Sequence, residues 1–320
     1  MPDLTRWLDR WNRYWFPPAS TLNLAGARIV AVAAQLFWFF PAWSHQINLL
    51  TKNERFLDPQ PIIRVVTLLA PREVIFTPQV WAVVYWGTFV AGLLALVGLF
   101  TRTSLFVLAL GMWLLVGHAY SYADVHHHEA LFVIFLMLLP LAPAGDRLSL
   151  DALLRRRRGT EGDRDTSTMA MWPLKLLHVL LSLTYFSTGI TKLLSGGLQW
   201  MNGYTVATYT FGDAIQRHRP LGIWIAQHHT LCVLLGIGTI AFETFYFLSL
   251  FLPRLAPLFF LSGILFHFGL WLSAGQPFYE HMVMNAILLL FLGSRWRRTA
   301  DAGTVLRRRP APLAGTPLPT

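Results

Sequence analysis

Long apolar runs broken by short polar segments dominate this chain. A helix needs about 20 mostly apolar residues to cross a bilayer. Eight stretches meet or approach that length, roughly 22–42, 80–99, 104–120, 129–143, 172–191, 223–250, 255–274 and 281–294. The fourth and eighth are short and need flanking residues to span. The pattern predicts an all-α integral membrane protein of about eight transmembrane helices. Two further segments read as helices that do not cross. Residues 61–70 suit a re-entrant or interfacial helix. Residues 1–20 carry the amphipathic run from Arg6 to Trp15, which suits a helix on the cytoplasmic surface with tryptophans at headgroup depth. An unstructured tail is the plainer alternative for that run. It lacks the short apolar core and small-residue cleavage site of a signal peptide, so none is expected.

Charge gives the runs an orientation. Arg102, the block from Arg155 to Arg158, Arg254 and the arginines between 295 and 309 all fall on one predicted side. The loops around 121–128 and 275–280 on the other side hold no lysine or arginine. The excess of basic residues in cytoplasmic loops places both termini in the cytoplasm. The loop 44–79 is an exception, with Lys52, Arg55, Arg64 and Arg72 on the predicted outer side. A membrane domain is expected over 21–296, with a cytoplasmic linker at 145–170 between two four-span halves. A basic, proline-rich tail over 297–320 is expected to be disordered. Composition agrees with the class: 54% of residues are hydrophobic and only 13% charged, against about 25% charged in soluble domains. The net charge of +10 serves orientation rather than nucleic-acid binding, because the basic residues sit in loops and tail. The single cysteine, Cys232, excludes an internal disulfide and any paired-cysteine site.

Within this topology the polar residues collect at one depth. His126, His127, His128 and Glu129 open the fourth span at its outer end, and Lys192 closes the fifth there. His267 lies in the outer half of the seventh span. Glu280 and His281 open the eighth, with Asn285 one turn deeper, and His118 and Tyr120 close the third. Buried ionisable groups in a membrane are costly unless paired or hydrated, so they usually line a cavity. A polar pocket near the outer leaflet is expected, roofed by loops 193–222 and 275–280. Plainer readings stand beside this one. Lys192 also reads as an anchor reaching for water, and His267 as a core histidine bonded to a carbonyl. Arg28 reads as paired with an acid or, in preference, as a side chain snorkelling inward. Consecutive histidines point about 100° apart on a helix, so three in a row cannot meet one ion, and no metal is expected. Glu243 is harder to dismiss, since an acid deep in an apolar span needs a partner.

Tyr185-Phe186, Thr188-Gly189-Ile190-Thr191-Lys192-Leu193 and Trp200 to Tyr204 together resemble a motif of one family. It is the transmembrane domain shared by vitamin K-dependent gamma-carboxylases and bacterial horizontally transferred transmembrane (HTTM) proteins. His127-His128-Glu129, Phe266-His267 with Phe278, Glu243, and Leu24 to Ile29 around Arg28 fit the same resemblance in order and spacing. It covers about residues 15–295. It implies that Lys192 is the base deprotonating a vitamin K-type hydroquinone, with His128 and His267 near the reaction centre. Substrate-pocket residues would be His127, Glu129, Glu243, Tyr204 and Asn285. The family's preceding lysine is Thr191 here, and its full carboxylases carry a large extramembrane domain after the spans. Carboxylation of peptide glutamate in the animal manner is therefore not expected.

The resemblance implies a quinol-dependent oxidase or carboxylase-like enzyme, a lyase in the carboxylase sense. Its cofactor would be a reduced quinone and its setting the bacterial inner membrane. The competing expectation is a non-catalytic accessory protein, for maturation of an exported peptide or for lipid binding. A transporter is disfavoured by the lack of an inverted repeat. Partners expected are the bilayer and a lipophilic quinol or an exported peptide.

Overall fold

The computed structural model describes residues 2–52, 57–125, 127–160 and 164–292. His126 and the tail 297–320 lie outside the described residues, as does the side chain of His127. The helices are α1 (Pro2–Trp15), α2 (Thr21–Phe37), α3 (Trp43–Leu50), α4 (Pro61–Leu69), α5 (Arg72–Ile75), α6 (Pro78–Val97), α7 (Thr101–Tyr120) and α8 (His127–Leu138). After these come α9 (Leu150–Arg157), α10 (Trp172–Gly196), α11 (Tyr204–Gln216), α12 (Pro220–Ala226), α13 (His229–Phe245), α14 (Ala256–Ala274) and α15 (Tyr279–Ile287). A π-helical turn, Leu288–Leu292, extends α15.

Among the described residues, five helices are long and apolar enough to cross a membrane: 78–97, 101–120, 172–201, 229–250 and 256–274. The other three predicted spans are shorter apolar helices at 21–37, 128–141 and 279–292. Large apolar side chains face outward along them, Val83 at 75% exposure and Leu194 at 83% among them. Water would not tolerate such a surface, whereas lipid requires it.

Local sequence sets the helix ends. Ser20 and Thr77 accept N–H bonds from Leu22 and Val80 and so cap α2 and α6. Gly98 and Gly275 stop α6 and α14 in the left-handed conformation that glycine adopts without strain. The N-terminus of α7 takes its cap from a distant residue. The Asp151 carboxylate accepts from the N–H of Phe100 (2.9 Å) and from the N–H and hydroxyl of Thr101 (both 2.7 Å).

Three sequence expectations need correction here. The region 145–170 is more than a linker: α9 lies within it, and Thr166–Ser167 (β2) pairs antiparallel with Ala19–Ser20 (β1). Arg28 does not snorkel. It is fully buried and donates to the carbonyls of Ala144 (3.0 Å) and Leu148 (2.5 Å), because the turn after the fourth span turns its carbonyls toward α2. A third correction concerns the predicted loop 193–222, most of which is helical in α11 and α12.

Packing ties the halves together. The pairs α6–α7 and α10–α13 pack along their length, and α15 touches α14, α2 and α8. The last apolar helix is thus built into both halves.

Candidate functional site

One face of α10 carries the polar residues that matter most. His178, Ser182, Tyr185, Gly189 and Lys192 are spaced by three or four residues and so share a stripe. The first four are buried. At the N-terminal end of the stripe, His178 Nε2 is 2.7 Å from the Ser249 hydroxyl. At the other end the Lys192 ammonium lies 2.5 Å from both oxygens of Glu243 on α13 and 5.3 Å from the Trp200 ring. The approach of α10 to α13 depends on Gly189. A Cβ there would lie 2.7 Å from the backbone nitrogen of Thr244 and 3.1 Å from the carbonyl carbon of Glu243.

Tyr185 is the hub between the helices. Its hydroxyl is 2.8 Å from His267 Nε2 on α14 and receives a 3.0 Å bond from the Asn285 amide on α15. Asn285 also donates to the His281 carbonyl (2.8 Å) and accepts from the Tyr246 hydroxyl (2.7 Å). The Tyr185 oxygen accepts from Asn285, and one arrangement that satisfies the network sends the Tyr185 proton to His267 Nε2. A neutral His267 then carries its hydrogen on Nδ1, a buried atom with no hydrogen-bond partner among the described residues. Gly263 makes room for this arrangement, since a Cβ there would fall 2.5 Å from the Asn285 carbonyl oxygen.

A second cluster adjoins the first through aromatic rings. Phe278 lies between His128 and His267, with ring centroids 5.2 and 5.4 Å away, and His281 lies 4.9 Å from His267. His128 Nε2 sits 3.7 Å from a Glu280 carboxylate oxygen. One donor atom each from His128, Glu129 and Glu280 lie within 4.8 Å of one another. The adjacency argument against a metal therefore covers His126 to His128 alone, because Glu280 arrives from another helix. A cavity of about 220 Å³ opens beside Glu129 and Glu280, between α2, α3, α7 and α8.

The structure thus brings together Lys192 with Glu243, His267 with Asn285, and His128 with Glu129. It does not bring Tyr204 in: that ring is 68% exposed at the start of α11 and packs on His229. His118 also lies apart, stacked on Trp81 at 4.0 Å and bonded to Gln46. Sequence reasoning passed over Tyr185 and Tyr246 as partners. The i, i+7 relation of Tyr185 to Lys192 was the available signal.

Comparison with sequence families gives one match, a model of the HTTM domain that covers residues 23–296. Comparison with curated proteins and with solved structures gives no match.

Proposed function

Because the chain belongs to the HTTM domain family, we propose that it is a multi-pass membrane protein performing proton abstraction on a lipophilic hydroquinone, with Lys192 as the base. Eight spans with both termini in the cytoplasm complete this reading. The five long and three short apolar helices support it, as do the one-sided basic loops.

The observation that carries the reading is the Lys192–Glu243 pair, with the unpartnered Nδ1 of His267 as a second buried polar group of the same helix bundle. Away from water, the cost of desolvating two charges offsets most of their attraction. The proposed chemistry requires the pair in its neutral form, amine beside carboxylic acid. In that form the Lys192 nitrogen accepts the hydroxyl proton of a hydroquinone, and the new ammonium stays next to Glu243. His267 Nδ1–H is then the donor for the ring oxygen left negative. Tyr185 and Asn285 hold the imidazole in that tautomer. The side chain of Lys192 is 19% exposed, and the nearby apolar residues Leu194 and Leu198 are exposed, which suits a ligand arriving from lipid.

Turnover by the protein in lipid nanodiscs tests this. Reduced vitamin K or a menaquinol is supplied with oxygen and bicarbonate, and epoxide and quinone are followed. Product that disappears in Lys192→Ala, with the variant still folded, is the expected result. Product formed equally by wild type and variant removes Lys192 from the chemistry. No product from either, despite quinol binding, favours the accessory role in peptide maturation.

A further inference from the structure

The cluster at the cavity end is not explained by proton transfer at Lys192. Glu129 and Glu280 stand in the first turns of α8 and α15, where helix dipoles favour negative charge. That accounts for an exposed acid in a first turn. It does not account for Glu280, which is only 5% exposed and has a carboxylate oxygen, Oε2, with no hydrogen-bond partner among the described residues. The same oxygen faces His128 Nε2 at 3.7 Å, too far for a hydrogen bond and close enough to share a ligand. The cavity wall holds Asp124 as well, and no lysine or arginine among the described residues. Asp124 is matched by His45 at 3.0 Å. Glu280 keeps its unpartnered oxygen within 4.8 Å of donor atoms of both His128 and Glu129. Two carboxylates this close at membrane depth call for a cation.

We propose that His128, Glu129 and Glu280 bind one divalent transition-metal ion at the end of this cavity. One imidazole and two carboxylates suit ions of the Mn²⁺, Fe²⁺ and Zn²⁺ class better than Mg²⁺ or Ca²⁺, which prefer oxygen alone. Bonds of about 2.1 Å draw the three donors inward by roughly 1 Å from their present spread, a movement within the swing of the half-buried Glu129 side chain. Three protein ligands leave coordination positions open toward the cavity, the arrangement of sites that take up an exogenous oxygen ligand. The site comes from α8 and α15, so the ion would also clasp the two halves. This proposal stands apart from the base chemistry of Lys192.

The test uses the full chain in nanodiscs, stripped with chelator and titrated with Mn²⁺, with free ion read by its electron paramagnetic resonance. Expected are one Mn²⁺ per chain, displacement by Zn²⁺ and none by excess Mg²⁺. Glu280→Gln and His128→Ala should each weaken binding by at least about 10-fold, the loss seen when groups merely orienting metal ligands are removed. Asp58→Asn, which removes an equal charge from a side chain 85% exposed, should leave it unchanged. Should Glu280→Gln fail to fold, Glu129→Gln replaces it. No stoichiometric Mn²⁺ at millimolar free ion overturns the proposal and leaves the two carboxylates sharing a proton. Binding that is indifferent to these variants overturns it equally.

Discussion

Asn285 makes three hydrogen bonds at full burial, to residues up to 100 positions away. Its replacement by alanine strands two tyrosine hydroxyls and frees His267 to turn. A loss of about 2 kcal/mol of stability is expected, read as detergent-induced unfolding. Tyr185→Phe removes only the hub hydroxyl, so it should cost about 1 kcal/mol. It should lower turnover far more than stability, because the tautomer of His267 is no longer fixed. Asp151 gives a pH dependence outside the membrane. Burial works to raise its carboxyl, but the bonds from Thr101 and Phe100 and the charge of Arg155 outweigh burial and hold it below its ordinary value. Its contribution is therefore present above the ordinary carboxylate range and is lost as pH falls through the depressed value. Thermal unfolding of the wild type should show this acid-side loss below about pH 4. Asp151→Ala should be weaker at neutral pH by about 1 kcal/mol, the worth of a helix cap, and should lack the acid-side loss.

At the level of elements, helix contacts in this protein are set by small residues, as in membranes generally. Gly189→Ala should force α10 from α13, since backbone stands in the way. The expected cost is about 1–3 kcal/mol, with the Lys192–Glu243 pair disturbed. Gly238→Ala on α13 meets nothing within 4 Å and should be neutral or slightly stabilising in the same unfolding experiment. The apolar runs were legible in the sequence because twenty apolar residues permit few alternatives. So were Lys192, Glu243, His267 and Asn285 as a group, since each is a polar residue in a setting that penalises it. What could not be read was pairing. Nothing local to Arg28 says that its partners are the carbonyls of Ala144 and Leu148. Nothing near 193–222 outweighs its glycines and polar residues to announce α11 and α12. Glu280 lacked a visible role because its neighbour His128 is supplied by a helix about 150 positions earlier.

For the whole molecule, orientation can be checked directly. Cys232 is buried, so its replacement by alanine leaves a background for single added cysteines. In right-side-out cells an impermeant maleimide should label Val125→Cys, and label Thr160→Cys only after the membrane is opened. The reverse pattern would invert the topology. The contacts of α15 with α2 and α8 carry a consequence for synthesis. The ribosome delivers α2 long before α15. Neither the Tyr185–Asn285 bond nor the Glu280–His128 pair can form until α15 has been made. A nascent chain arrested before α15 therefore lacks the contacts that join its two halves.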